Sequence, residues 1–241
     1  MLYTSVGMLT PVADGTPFQS ASDQSLLVYF GQEITPEAHQ RVMKLLWLLQ
    51  SKPVTGIRNL HPAYTSLLVE FDALTLQQDE LEAILRLYLD RIEDVRLPAP
   101  RLLEIPVCYG GQFGPDLDDL SSMHGITASQ AIELHTAAAY VVFFLGFVPG
   151  FAYLGGLPKV LSTPRLSSPR RIVPAGSVGI AGDQTGVYPF ATPGGWRLIG
   201  RTPVAMFRPD RSDMSLLSVG DRVRFVPISP EQFAALEKMR P

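Results

Sequence analysis

Between residues 25 and 30 the chain reads Ser-Leu-Leu-Val-Tyr-Phe, a short apolar run stopped by Gly31 and expected to be a strand. Thr35-Pro36-Glu37 then supplies an N-cap residue, a proline suited to the first helical position and an early acid. Val42, Leu45, Leu46 and Leu49 recur at three- and four-residue spacing, which predicts an amphipathic helix to about Gln50. Strands are expected at 54–60 and 65–71, joined by a turn at His61-Pro62-Ala63-Tyr64. Leu81, Ile84, Leu85, Tyr88 and Ile92 form the apolar side of a second helix. The order strand, helix, strand, strand, helix predicts a small α+β sandwich of ferredoxin-like type.

Leu97-Pro98-Ala99-Pro100-Arg101 interrupts this pattern, since two prolines close together cannot continue a helix. The boundary is placed there, giving domains 1–97 and 98–241. Beyond it the periodicity shortens. A strand is expected at 103–108 and two short helices at 116–124 and 127–135, the second opened by a capping box of Thr127 and Gln130. Short β segments at 140–146, 177–181, 186–189, 196–199, 204–207 and 222–226 are separated by glycine and proline, the signature of a closed or nearly closed β-barrel. A final surface helix is expected at 230–238.

With 46 % hydrophobic and 18 % charged residues in 241, each half can bury a core. The formal net charge is −3, and no basic stretch interleaves with aromatics, so a nucleic-acid partner is not expected. No apolar run reaches the roughly 18 residues of a membrane span, and the first residues lack the basic and apolar regions of a signal peptide. Cys108 is the single cysteine, so no intramolecular disulfide can form, and a reducing cytoplasm is the expected location.

Standard catalytic motifs are missing. There is no Gly-x-x-x-x-Gly-Lys-Ser/Thr phosphate loop, and His39, His61, His124 and His135 are too scattered for a metal site. His135 ends a predicted helix, where a cation complements the helix dipole. Cys108, in a predicted strand, reads as a packed apolar residue.

Chemistry concentrates instead in residues 146–157, Gly-Phe-Val-Pro-Gly-Phe-Ala-Tyr-Leu-Gly-Gly-Leu, with three aromatics and four glycines in twelve positions. Glycines serve a barrel at sharp corners, but alternating with aromatics they also build a shallow binding wall. Pro164-Arg165 and Pro169-Arg170-Arg171 add cations suited to a carboxylate or phosphate. A second dense run covers residues 173–189, Val-Pro-Ala-Gly-Ser-Val-Gly-Ile-Ala-Gly-Asp-Gln-Thr-Gly-Val-Tyr-Pro, and continues through 192–203, Thr-Pro-Gly-Gly-Trp-Arg-Leu-Ile-Gly-Arg-Thr-Pro.

These runs, with Pro106-Val107-Cys108-Tyr109-Gly110-Gly111 and Gly114-Pro115-Asp116-Leu117 before them, resemble the KipI family, also called the B component of 5-oxoprolinase or allophanate hydrolase subunit 1. The resemblance spans about residues 104–228 and extends more loosely into the first domain. It implies an α/β N-terminal domain followed by a cyclophilin-like, carboxyltransferase-type β-barrel. It also implies a homologous barrel partner (KipA-like, the C component of 5-oxoprolinase) and a third protein of LamB/YcsF type (the A component). Together such proteins use ATP to open 5-oxoproline to glutamate. A related paired module forms the carboxyltransferase part of urea carboxylase, and one family member instead inhibits a sensor histidine kinase. The resemblance thus leaves two functions open: a component of an ATP-dependent 5-oxoprolinase, and a protein inhibitor of a histidine kinase.

For a ligand bearing a carboxylate and a lactam, the matching runs offer Gln184, Tyr188 and Arg201 as catalytic candidates. Phe147, Phe151, Tyr153, Arg165, Arg171 and Gly182 are the binding candidates. A guanidinium suits the carboxylate, while an amide or a phenol can hydrogen-bond the lactam. No nucleophile paired with a base is legible in this chain, which fits a site shared with a partner.

Overall fold

In a computed structural model, which describes residues 17–239, Phe18–Ser22 (β1) turns back onto Ser25–Tyr29 (β2) as an antiparallel pair. Helix α1 (Pro36–Ser51) starts where Thr35 accepts the Ala38 amide at 3.1 Å. Strands β3 (Ile57–Pro62) and β4 (Ser66–Phe71) follow, then helix α2 (Gln78–Leu89) and a 3₁₀ turn at Ile92–Asp94. The sheet runs β1-β2-β4-β3, antiparallel throughout. Alternation puts Leu26 and Val28 of β2 with Leu67, Val69 and Phe71 of β4 on one buried face. Val42, Leu45 and Leu49 of α1 and Leu81 and Leu85 of α2 share that core. A ferredoxin-like sandwich needs a further strand after the second helix. Here the fourth strand is β1, which precedes the others and adds to the sheet by a simple hairpin.

The chain divides into two units, Met1–Ala99 and Pro100–Pro241. The second opens with β5 (Leu102–Tyr109), α3 (Leu117–Met123), α4 (Ala128–Ala137) and β6 (Tyr140–Leu145). Then come β7 (Ala152–Gly155), β8 (Arg170–Val173), β9 (Ser177–Ala181) and β10 (Gln184–Val187). The last elements are β11 (Thr192–Gly194), β12 (Arg197–Arg201), β13 (Arg222–Pro227) and α5 (Pro230–Lys238). Seven strands close into a barrel in the order β10-β7-β6-β13-β5-β12-β9, with β13 and β5 parallel. Strands β8 and β11 pair only with each other, as a separate ribbon. Val107, Tyr140, Val142, Leu154, Val178, Ile180, Ile199 and Phe225 fill the interior. The stretch expected as a strand at 204–207 is a loop, because its only pairing is an isolated bridge between Phe207 and Ser215. No helix among the described residues is long and apolar enough to cross a membrane.

His135 corrects its expectation as a cation at a helix end. It is fully buried, stacked on Phe225 with centroids 4.6 Å apart. Its Nδ1 lies 2.8 Å from the Tyr109 hydroxyl and its Nε2 3.1 Å from Thr185 Oγ1. Thr185 spends its proton on the Gly179 carbonyl at 3.0 Å, so Nε2–H donates to Thr185 and Nδ1 accepts from Tyr109. Both ring nitrogens are thus satisfied in the neutral form. Burial pushes the pKa down to about 3, so the ring carries no charge for the helix dipole to meet. Cys108 is buried, as expected of an apolar residue, and burial raises its pKa.

Candidate functional site

Pleating sends alternate residues of the barrel wall inward and outward. On β7, Ala152 and Leu154 face the core while Tyr153 faces out; on β12, Ile199 faces in and Leu198 out. The outward residues gather with Phe151, Val173, Ala181, Tyr188 and Trp196 into a second apolar cluster on the barrel's outer side. Its rings meet edge to face: Phe151 lies 4.9 Å from Tyr153, 5.3 Å from Tyr188 and 5.4 Å from Trp196. Phe147 joins from above, 5.6 Å from Phe151 and 6.5 Å from Tyr188, and stays largely exposed.

Two paired glycines make room for these rings. Gly186 lies opposite Gly179 across the β9–β10 ladder. A Cβ at Gly186 would stand 3.1 Å from the Phe151 ring and 3.2 Å from that of Trp196, and one at Gly179 would stand 3.0 Å from Trp196 Cβ. Part of the glycine richness read from the sequence therefore seats aromatic side chains against the wall.

Asp116, and Arg170 of the cationic run that the sequence offers for a ligand, instead brace the cluster. Asp116 is buried; one carboxylate oxygen accepts the Leu198 amide at 2.6 Å and the other accepts Arg170 Nη2 at 2.6 Å. This joins the start of α3 to β12 and to the β8–β11 ribbon, so that Val173 and Leu198 both close on the rings. Trp196 is a further residue the sequence does not single out, because it reads as one more apolar strand residue.

Burial pushes the phenols of Tyr153 and Tyr188 above their usual pKa. For Tyr188 a backbone hydrogen bond from Trp196 is the main opposing influence, and the charge of Arg165 acts in the same direction on both rings. The Leu166 N–H donates to the Gly195 carbonyl at 2.7 Å, which sets Arg165 beside Trp196 and the cluster. Arg165 is exposed and, among the described residues, forms no ion pair. Two neutral phenols, a wall of rings and an unpaired guanidinium suit an apolar ring that carries a carboxylate.

The other candidates fall as follows. Gln184 opens β10 opposite Ala181, across the turn made by Gly182 and Asp183. Cross-strand partners share a face, so Gln184 points to the same side as Ala181 and the cluster. Gly182 is exposed at φ 55°, and its amide donates to the Thr163 carbonyl at 2.8 Å. Arg171 is exposed on β8, two residues from Val173. Arg201 is placed elsewhere: its Nε donates to the Ala175 carbonyl at 2.8 Å and its guanidinium lies 5.8 Å from the Phe233 ring of α5. The structure thus brings together Phe147, Phe151, Tyr153, Tyr188 and Arg165, sets Gln184 on the same face, and ties Arg201 to a separate contact. Among the described residues, no group of three or more His, Cys, Asp or Glu could hold a metal ion.

The model of the carboxyltransferase domain, subdomain C and D, matches residues 16–217 of the chain. The chain belongs to that family. The B component of 5-oxoprolinase from Bacillus subtilis is 40 % identical to it over 230 residues, covering 91 % of this chain and 96 % of that one. The corresponding B component from Escherichia coli O157:H7 is 45 % identical over 199 residues, 80 % of this chain and 88 % of that one. Among solved structures, TTHA0988 superposes with a TM-score of 0.75 at 37 % identity over 86 % of this chain. The match spans only 40 % of TTHA0988, so there the same fold is part of a longer polypeptide.

Proposed function

We propose that this chain is the B component of an ATP-dependent 5-oxoprolinase, hydrolysing 5-oxo-L-proline to L-glutamate together with partner subunits. The observation that carries the reading is the 40 % identity to a protein of that name over nearly the full length of both chains. A substrate with a carboxylate and a small ring matches the exposed rim of the outer cluster, where Arg165 takes the carboxylate and Gln184 faces the lactam. Tyr188, a catalytic candidate from the sequence, is only 2 % exposed and packs among Phe147, Phe151 and Trp196, so it supports the site from beneath and does not meet the lactam. ATP is a substrate of the assembled enzyme, with its site not formed by this chain alone. The partners are a homologous barrel protein of KipA type and a LamB/YcsF-type protein. That this fold makes up only 40 % of TTHA0988 supports a neighbour that is elsewhere covalently joined.

Two arginines test the placement. Arg165→Ala in the reconstituted enzyme should lower kcat/KM for 5-oxoproline roughly ten- to a hundredfold, the worth of a charge-assisted hydrogen bond, and leave the melting temperature unchanged. Arg201→Ala should instead lower the melting temperature by about 2–6 °C, through loss of its bond to Ala175 and its stacking on Phe233. Catalytic efficiency equal to wild type in Arg165→Ala would remove Arg165 from the site.

A further inference from the structure

Phe147 is the one non-glycine residue among those described with a left-handed backbone, at φ 67°. Val148 N–H donates to the Gly146 carbonyl at 2.8 Å, closing a three-residue turn with Phe147 at its apex. The loop is tied on both flanks: Gly146 N–H donates to the Phe151 carbonyl and Phe151 N–H to the Val148 carbonyl, each at 3.1 Å. A turn of this hand strains any residue with a side chain, and glycine would relieve it. The chain carries a phenylalanine there and leaves it 58 % exposed, so packing gain does not account for the choice. The ring stands edge-on over Phe151 and Tyr188, and Tyr188 in turn meets Trp196, beside which the Leu166–Gly195 hydrogen bond sets Arg165.

We propose that Phe147 is a specificity-determining wall of the carboxylate site. The tied turn holds its ring above Tyr188, so that the methylene face of a small cyclic carboxylate lies against it while Arg165 takes the charge. A flexible loop would have to order an aromatic ring on each binding event; this turn meets that cost during folding. The identity of the ligand as 5-oxoproline rests on the proposed function; the wall itself rests on the turn and the rings.

The chain has two tryptophans, Trp47 in α1 and Trp196 in the ring cluster. Labelled with 5-fluorotryptophan and assembled with unlabelled partner proteins, it gives two fluorine resonances, assigned with Trp47→Phe. Titration with 5-oxoproline should move the Trp196 signal and leave that of Trp47 in place. Phe147→Gly should raise the Kd about ten- to a hundredfold. The melting temperature of the chain should stay unchanged or rise by up to about 4 °C as the strain leaves. Benzoate serves as a second ring carboxylate. If benzoate moves Trp196 in a Phe147-dependent way and 5-oxoproline does not, the functional reading fails and the wall stands. Three results overturn the wall: neither ligand moves Trp196, Phe147→Gly binds like wild type, or Phe147→Gly no longer assembles with the partners, which would make Phe147 part of a protein–protein contact.

Discussion

Asp116→Ala should destabilise the barrel unit by about 2–4 kcal/mol and lower its melting temperature by roughly 5–15 °C. The buried carboxylate accepts from both the Leu198 amide and the Arg170 Nη2, each at 2.6 Å, so truncation strands two donors at once. Arg170 is partly exposed, and water takes over its guanidinium when the partner is lost, which holds the figure below that of a fully buried pair. The Leu198 amide has no such recourse, because Leu198 is buried. Arg170→Ala should therefore cost less than Asp116→Ala, and Asp116→Asn should fall between them, its amide oxygen still accepting one bond. Urea unfolding of the three variants gives the order directly. Equal costs for Asp116→Ala and Arg170→Ala would mean that the ion pair, rather than the Leu198 amide, sets the stability.

The second large effect is on pH. In the unfolded chain His135 takes up a proton near pH 6.5, whereas buried in the barrel it resists protonation to about 3. Between those values the unfolded state binds more protons, so stability is fully present above pH 6.5 and is lost as the pH falls. The slope approaches about 1.4 kcal/mol per pH unit, giving a loss of about 2 kcal/mol by pH 5. The lowered carboxyls of Glu70, Asp72, Glu93, Asp210 and Glu231 add their acid sensitivity mainly below their ordinary values of 3.8 to 4.5, so the window from 6.5 to 5 separates histidine titration from theirs. His135→Gln offers a donor to Thr185 and an acceptor to Tyr109 without a titrating proton and should flatten that slope. An unchanged slope in the variant would assign the pH dependence to another histidine.

How much of the structure is legible in the sequence depends on how local the determining interactions are. Helix α1 is legible from Thr35 and Pro36, and α5 from Pro230, because caps and prolines act within one turn. The barrel is legible as a class, since short strands punctuated by glycine and proline are its own signature. Strand β7, four residues in a glycine-rich run, and the β8–β11 ribbon are not, because their pairings rather than their composition define them. The ferredoxin-like expectation omits β1, whose polar residues beyond Phe18 give little strand signal. At the site, the aromatic candidates stand out because the run around Phe151 is dense in one place. The pairing of Asp116 with Arg170 escapes notice because 54 residues separate them, so Arg170 reads only as a cation for a ligand. The position of His135 at a helix end misleads; its burial comes from Tyr109, Thr185 and Phe225, which lie far from it in sequence. The left-handed turn at Phe147 is equally hidden, since the usual signal for such a turn is a glycine.

This chain is expected to contribute to a 5-oxoprolinase only as one subunit among several. Separately purified chain, KipA-type barrel protein and LamB/YcsF-type protein should be assayed for 5-oxoproline-dependent ATP hydrolysis and glutamate release, singly, in pairs and together. Turnover is expected only with all three present, and none from this chain alone. Glutamate release by the chain alone, or its absence from a co-eluting three-protein complex supplied with ATP, would contradict the claim.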